Sequence, residues 1–313
     1  MKLDAVEQAE ITNHLRKMGV DKADAAGVWT TRQLTAALNR AYESEVPPNN
    51  ALSLFPVTNE IPDYAKYFSY PSFDGVGLAQ IITDYANDLP LIDALATEQT
   101  GRVFRMGNAF LISIDEIKAG AALNSNLSTR KQTLAFEAHR NKVDELVWRG
   151  SPAHGINSIF TAPNTNSVEP GAAWSTAEDA SAAINRLVDS IDLATRGVHM
   201  ANRIMLPASV RRLMQTLVPQ TGISYQQLFQ QNNQGVQLIY LNSLDNYDGA
   251  GGKAAIAFEF DPLNLSIEVT EAVNALPAQP KDLHFKIPVT SKTTGLVIYR
   301  PMTVSVMRGI TLA

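Results

Sequence analysis

The sequence predicts an α+β fold in which strands and helices occupy separate layers. Three observations carry this. A helical stretch without Pro or interior Gly runs from Asn126 to Gly150. Extended, aromatic segments precede it, between Tyr64 and Ile114. After further helical stretches, strand-like segments close the chain from Val236 onward.

The chain opens with an arm. Ala5 to Met18 has helical spacing through Val6, Ile11, Leu15 and Met18, and Thr31 to Tyr42 repeats the pattern through Leu34, Ala37 and Leu38. Pro47-Pro48-Asn49-Asn50 ends any helix, because proline lacks the backbone N–H and clashes with the preceding turn. Leu52, Leu54, Phe55 and Val57 follow, too apolar a group to stay in water, so this segment is expected to dock. Tyr64 to Tyr70 and Val103 to Ile114 (bent at Gly107) read as the two strands of an extended hairpin with a long insert. A hairpin alone is marginal in water, so a partner must cover it.

A short helix over Asp115–Ala122 leads into the long one. There Leu134, Ala135, Ala138, Val143, Leu146 and Val147 share one side. Ser128 is the expected cap, Arg140 and Asp144 form a four-residue charge pair, and Gly150 is the stop. At ~1.5 Å per residue the rod is about 30–35 Å long.

After a turn-rich crossing, Ser175–Glu178 has capping-box spacing before an amphipathic helix through Ile184, Leu187, Val188 and Ile191. Asn202–Leu206 reads as a buried strand, and Pro207 opens a helix through Val210, Leu213, Met214 and Leu217. Ser224–Gln227 is a second capping box. Strands follow at Gln237–Leu241, Ala255–Phe260, Leu265–Thr270, Leu283–Ile287, Gly295–Arg300 and Met302–Arg308.

With 313 residues and 45% hydrophobic content the chain can bury a real core. No run approaches ~20 apolar residues, so no membrane span is predicted. The N-terminal MKLDAVEQAE lacks the apolar centre of a signal peptide, which argues against export. There is no cysteine, which excludes disulfides, thiolate metal sites and cysteine nucleophiles. A net charge of −5 argues against a dedicated basic nucleic-acid binder.

Chemistry is sparse. The five histidines His14, His139, His154, His199 and His284 include no pair at metal-ligand spacing. His139 has the type of a catalytic base, but a surface or core-edge histidine is the favoured reading. Gly249–Lys253 imitates a phosphate loop and fails it: Asp248 stands where the first Gly belongs and Ala254 where Ser or Thr belongs. Asp84, Asp88 and Asp93 could gather a cation only if their loop folded around it. Arg102, Arg105, Arg130, Lys131, Arg140, Lys142 and Arg149 make the middle of the chain basic, a solvated face by default and a weak polyanion surface as the minority reading. No catalytic, cofactor or metal site is assigned.

The order of parts carries a resemblance. Asn50–Val57, Tyr67 through Asp88-Leu-Pro90 with Asp74-Gly-Val-Gly77 inside, Phe110–Ile117, Glu137–Gly150 with Gly155-Ile156 and Thr161-Ala-Pro-Asn164, and Leu296–Pro301 through Gly309-Ile310 together resemble a tailed-phage major capsid protein of the Hong Kong 97-type fold, in the encapsulin-like major capsid family. The resemblance covers about residues 48 to 313. It implies an N-terminal arm (1–62), an E-loop hairpin region (63–112), a P-domain (113–174) with a spine helix at about 128–149, and an A-domain (175–313), part of whose 265–313 strands return to the P-domain sheet.

It further implies pentamers and hexamers that close into an icosahedral shell around double-stranded DNA. The expected partners are copies of the chain, a portal protein, scaffold and decoration proteins, and DNA by weak non-specific contact, with no membrane. The expected location is the virion, with the host cytoplasm as the place of assembly. Assembly contacts are assigned to Leu52, Leu54, Phe55 and Val57 in the arm, Tyr67, Phe68, Tyr70 and Phe73 in the hairpin, and Arg102, Arg105, Arg130 and Arg140. Some relatives join an E-loop lysine to a neighbour's asparagine. Pro71–Gly101 holds no lysine, so a shell without cross-links is expected. No scaffolding segment precedes the arm, so any scaffold is expected to be a separate protein. The alternatives are an encapsulin-type bacterial nanocompartment shell and, further off, a soluble enzyme with a site around His199 or Asp248.

Overall fold

The computed structural model describes residues 50–76, 92–123, 127–171 and 173–312. The two arm helices and the segments Ile81–Tyr85 and Asp88–Pro90, with Asp84 and Asp88, lie outside the described residues.

The chain enters through one helical turn, α1 (Ala51–Leu54), and a two-residue strand, β1 (Val57–Thr58). Next come β2 (Tyr67–Val76), β3 (Asp93–Arg102) and β4 (Phe104–Ser113), then α2 (Ile114–Leu123) and the long α3 (Leu127–Trp148). β5 (Asn166–Val168), α4 (Ala177–Thr195), β6 (Arg203–Pro207), α5 (Arg211–Met214) and α6 (Tyr225–Asn232) make the middle. The rest is strand: β7 (Gln237–Leu241), β8 (Lys253–Phe258), β9 (Leu265–Glu268), β10 (Glu271–Ala275), β11 (Gln279–Lys281), β12 (His284–Thr293), β13 (Leu296–Ile298) and β14 (Val304–Ile310).

A five-stranded sheet of order β5-β14-β8-β6-β7 forms the centre of the body. Its inner strands β6 and β8 are almost continuously apolar because both faces are covered, whereas the edge strand β5 is polar and half exposed. Along β8, Ala254, Ile256 and Phe258 face one core while Ala255 and Ala257 face the other. The second core lies under α4, whose Ala180, Ala183, Ile184, Leu187 and Ile191 recur at helical spacing. The first receives Val143, Val147 and Trp148 from the end of α3 and Ala51, Leu54 and Phe55 from the arm. Phe55 stacks on Phe258 at 5.2 Å between ring centroids and tilts against Trp148 at 5.7 Å.

A second sheet is built on β12, which pairs with β4 over ten residues, from His284↔Ser113 to Thr293↔Phe104. β10 and β11 take its other edge. α3 lies on this sheet: Asn108 Nδ2 donates to Ala135 O at 2.9 Å, and His139 Nδ1 meets Ser291 Oγ at 2.7 Å. A third, small sheet sets β1 parallel to β9 and β13 antiparallel to it.

Several expectations change. The partner of β2 is β3, in register from Tyr67↔Arg102 to Val76↔Asp93, whereas Val103–Ile114 joins the body through β12. Asp-Ala-Leu-Ala-Thr-Glu-Gln-Thr-Gly-Arg has little strand propensity, and pairing imposes its conformation. The first capping box is one residue later than its spacing suggested, Thr176 with Asp179, and a third, Ser113 with Glu116, starts α2. α3 begins at Leu127, so Ser128 lies inside its first turn. Asp144 does not serve Arg140: its Oδ1 accepts from the backbone N–H of Asn50 (3.1 Å) and Ala51 (2.9 Å), satisfying the donors that open α1. Gly150 does end the rod, at φ +70°.

Phe55→Ala should cost about 3–5 kcal/mol, since a large buried ring leaves a cavity. Leu52→Ala, on the exposed side of the same turn, should stay within ~0.5 kcal/mol. Urea denaturation midpoints of the two variants check this.

Candidate assembly surfaces

Among the described residues, the hairpin β2–β3 is poorly supported by the body: its strands contact mainly each other. Side chains alternate across a strand, so Tyr67, Ser69, Pro71 and Phe73 share one face and Phe68, Tyr70 and Ser72 the other. The first face is open to solvent, with Tyr67 68% and Phe73 67% exposed. Near the described end of β3, Leu95 is 57% exposed and Ile92 73%. Leu95 pairs opposite Asp74 and so lies on the other face from Tyr67 and Phe73, and the two exposed aromatics are the candidates for contact on the outer face. On the inner face, Phe68 and Tyr70 stack at 6.4 Å, and Tyr70 meets the edge of Tyr299 at 5.0 Å. Phe68 lies over Gly101, where an added Cβ would strike the ring. A groove of about 460 Å³ separates this inner face from the 154–164 loop and the 294–301 segment; Gln99, Arg102, Asn157 and Asn164 are in its lining.

The arm is bound quite differently. Asp144 accepts from Asn50 and Ala51, Arg203 Nη1 donates to Leu54 O at 2.7 Å while its guanidinium lies 3.5 Å over the Phe260 ring, and Phe55 fills the core. Leu54 (7% exposed) and Phe55 (2%) therefore seal the subunit's own interior and leave the set of outward assembly contacts. Leu52 and Val57 stay exposed beside them.

The assigned arginines do not form one patch. Arg102 lies over Phe104 at the hairpin base, and Arg105 reaches Glu271 at 3.7 Å. Burial pushes the Glu271 carboxyl up, but hydrogen bonds from Lys292 and Thr290 and the nearby charges hold it below the usual range. Arg130 is exposed in the first turn of α3, and Arg140 borders the α1 turn with Asp144.

The chemical candidates resolve into structure. In the Gly-rich loop the N–H groups of Ala250 and Gly252 both donate to Asp248 Oδ1 at 2.9 Å, which holds that carboxyl below its ordinary pKa. His199 Nδ1 lies 2.6 Å from Glu259, which also accepts from Asn264. His139 is buried between α3 and its sheet. Among the described residues there is no cluster of three metal-ligating side chains, and no helix is long and apolar enough to cross a membrane. Arg203 and Glu268, which position the arm and the hairpin, carried no signal in the sequence, because each is a single polar residue with no periodic partner; Asp144 was read by its spacing as the partner of Arg140, and its true partners are the Asn50 and Ala51 N–H groups.

A body with a complete core, a seated arm and a hairpin that leaves its aromatic face uncovered defines a class: a structural subunit made to be completed by other subunits. The chain belongs to the major capsid protein family, whose model matches residues 77–310. Among solved structures, the capsid of Myoviridae phage XM1 is similar over 91% of this chain and 100% of that one, at TM-score 0.80 and 16% identity. Mycobacterium phage Ogopogo is similar over 90% and 99% at TM-score 0.63 and 15% identity. A virus-like particle from Pyrococcus furiosus is similar over 82% and 91% at TM-score 0.51 and 16% identity. No curated protein sequence matches. The fold is the Hong Kong 97-type fold of phage capsid subunits.

Burial depresses the pKa of His139, with a contact from the Val289 backbone opposing it, and its Nε2 has no partner. The folded chain thus favours the neutral ring, so stability is unaffected above the unfolded value of ~6.5 and falls as pH drops from there toward the depressed folded value. His139→Gln should flatten that part of the profile, as read from urea midpoints between pH 7 and 5.

Proposed function

We propose that the chain tiles, as pentamers and hexamers, into the icosahedral head shell of a tailed phage that encloses double-stranded DNA. The observation that carries this is the combination of an exposed aromatic hairpin with a body similar to the phage XM1 capsid subunit over that subunit's whole length. In this reading residues 1–62 are the arm and 63–112 the E-loop region. Residues 113–174 with α3 are the P-domain and 175–313 the A-domain, with β12 supplying a long strand to the sheet under α3. Tyr67 and Phe73 would face a neighbouring subunit, with Leu52, Val57 and the arginines at the margins of that contact. The role is structural rather than catalytic. A portal protein, scaffold and decoration proteins, and loosely held DNA are the further partners, with assembly in the host cytoplasm and residence in the virion. The nanocompartment alternative draws less support, since the matching family model is that of a major capsid protein and the strong structural likenesses are to phage capsids.

Multi-angle light scattering after size exclusion, followed by negative-stain imaging, tests the reading. Pentamers, hexamers or closed shells are expected, and a stable monomer at high concentration, with and without co-expressed scaffold, would overturn it. Tyr67→Ser with Phe73→Ser should suppress assembly while shifting the thermal midpoint little, because both side chains are already in water in the subunit. Boiling assembled particles in SDS should release monomer-sized bands, since Pro71–Gly101 has no lysine; a covalent ladder would contradict this.

A further inference from the structure

We propose that Glu268 is a positioning residue for assembly: through the Tyr299 hydroxyl it sets the angle at which the β2–β3 hairpin leaves the body, and through Thr58 and Glu60 it ties that angle to the seated arm. The proposal rests on the reading of the hairpin as an intersubunit contact.

Glu268 ends β9 and is 1% exposed. Its side chain has no ion-pair partner among the described residues. It is held by donors from three directions. Thr58 Oγ1 donates to Oε1 at 2.5 Å and Glu60 N–H to Oε2 at 3.2 Å, both from the arm. Ser266 Oγ donates from its own strand at 3.3 Å, and Tyr299 OH donates at 3.3 Å. A buried carboxyl without a cation costs folding free energy unless such donors surround it. Its cost here is offset by groups that belong to separate parts of the chain, so the carboxyl joins them.

Tyr299 is the link to the hairpin. Burial pushes its pKa up to about 12, the Ser266 hydroxyl opposing and the Glu268 and Glu60 carboxyls adding to it. The phenol therefore stays protonated and remains a donor. Its ring packs edge-on against Tyr70, which stacks with Phe68 above Gly101. Elsewhere the groove of about 460 Å³ holds the inner face of the hairpin off the body. A ten-residue strand is about 33 Å long, so a tilt of ~5° at its base moves the far end by about 3 Å. That is enough to lose registry with a neighbour while changing nothing in the subunit's core.

The absence of native cysteine makes the test direct. Nitroxide labels at Ala96→Cys in the hairpin and Asn185→Cys on α4, in chain diluted with unlabelled chain, give the hairpin-to-body distance distribution. Tyr299→Phe removes one hydroxyl and keeps the ring. It should broaden the distribution roughly twofold at the far end of the lever, widen the spread of particle diameters, and leave the thermal midpoint near the parent's. Thr58→Val, which cuts the arm side of the same node, should broaden the distribution as well. Superimposable distributions for the parent and Tyr299→Phe would overturn the proposal, as would a broadened distribution with particles of unchanged uniformity. Failure of the parent itself to assemble would instead count against the shell reading, with the distance distributions still testing the hairpin angle.

Discussion

The centre of the five-stranded sheet, β6 and β8, is buried on both faces, and the rest of the subunit follows from the need to cover it. α4 covers one face with a stripe of small and branched residues. The other face is covered by pieces distant in sequence: the last two turns of α3 and the arm segment around Phe55. Trp148, Phe55 and Phe258 meet there, so the long helix, the arm and the sheet are fixed to one another at one aromatic junction. Without the arm, that junction would expose part of the sheet to water, and area burial is the dominant favourable term in folding. The arm is thus an integral part of the subunit from Asn50 onward, with Asp144 and Arg203 satisfying its backbone where it turns inward.

The hairpin obeys the opposite logic. Its strands pair with each other and bury little, and its outer aromatics lie in water. A two-stranded ribbon of this kind gains its stability from whatever covers it. In the proposed shell that cover would be another copy, and the exposed face would then store association free energy that the isolated subunit cannot use. The basic residues add little to this, since Arg105 already serves Glu271 and Arg102 lies over Phe104.

Much of this was legible in the sequence wherever a periodic pattern was long. α3 and α4 declared themselves by spacing and by their stops at Gly150 and Arg196-Gly197, and β6, β7 and β8 by continuous apolar runs. β3 did not, because a solvent-exposed strand such as Asp93–Arg102 has no buried face to impose alternation. The pairing of β4 with β12 was hidden for another reason: the contact lies about 180 residues apart in the chain, and β12 mixes Lys286, Pro288, Thr290 and Lys292 into its open face. The assembly set was half legible. The apolar character of Leu54 and Phe55 showed that the arm docks, but composition cannot distinguish docking on another subunit from docking on its own core. Arg203 and Glu268 were invisible and Asp144 was assigned the wrong partner, because a polar residue acquires a positioning role only from the backbone that the fold brings to it.

The two attachments differ in the kind of force that holds them, and this difference suits a shell subunit. The arm is held by close-packed rings, where small displacements forfeit many contacts at once. Its position is therefore close to all-or-none. The hairpin base is held by lighter contacts: the Val103 N–H donates to Lys66 O at 3.0 Å, Arg102 lies over Phe104, and Tyr70 meets the edge of Tyr299, whose hydroxyl donates to Glu268 at 3.3 Å. A closed shell needs the same chain in environments that are similar but not identical, around five-fold and six-fold positions. A rigid body with a lightly attached hairpin would meet that need with least distortion: the core would stay the same in every position, while the Glu268–Tyr299 link keeps the spread of hairpin angle within what a neighbour can accept.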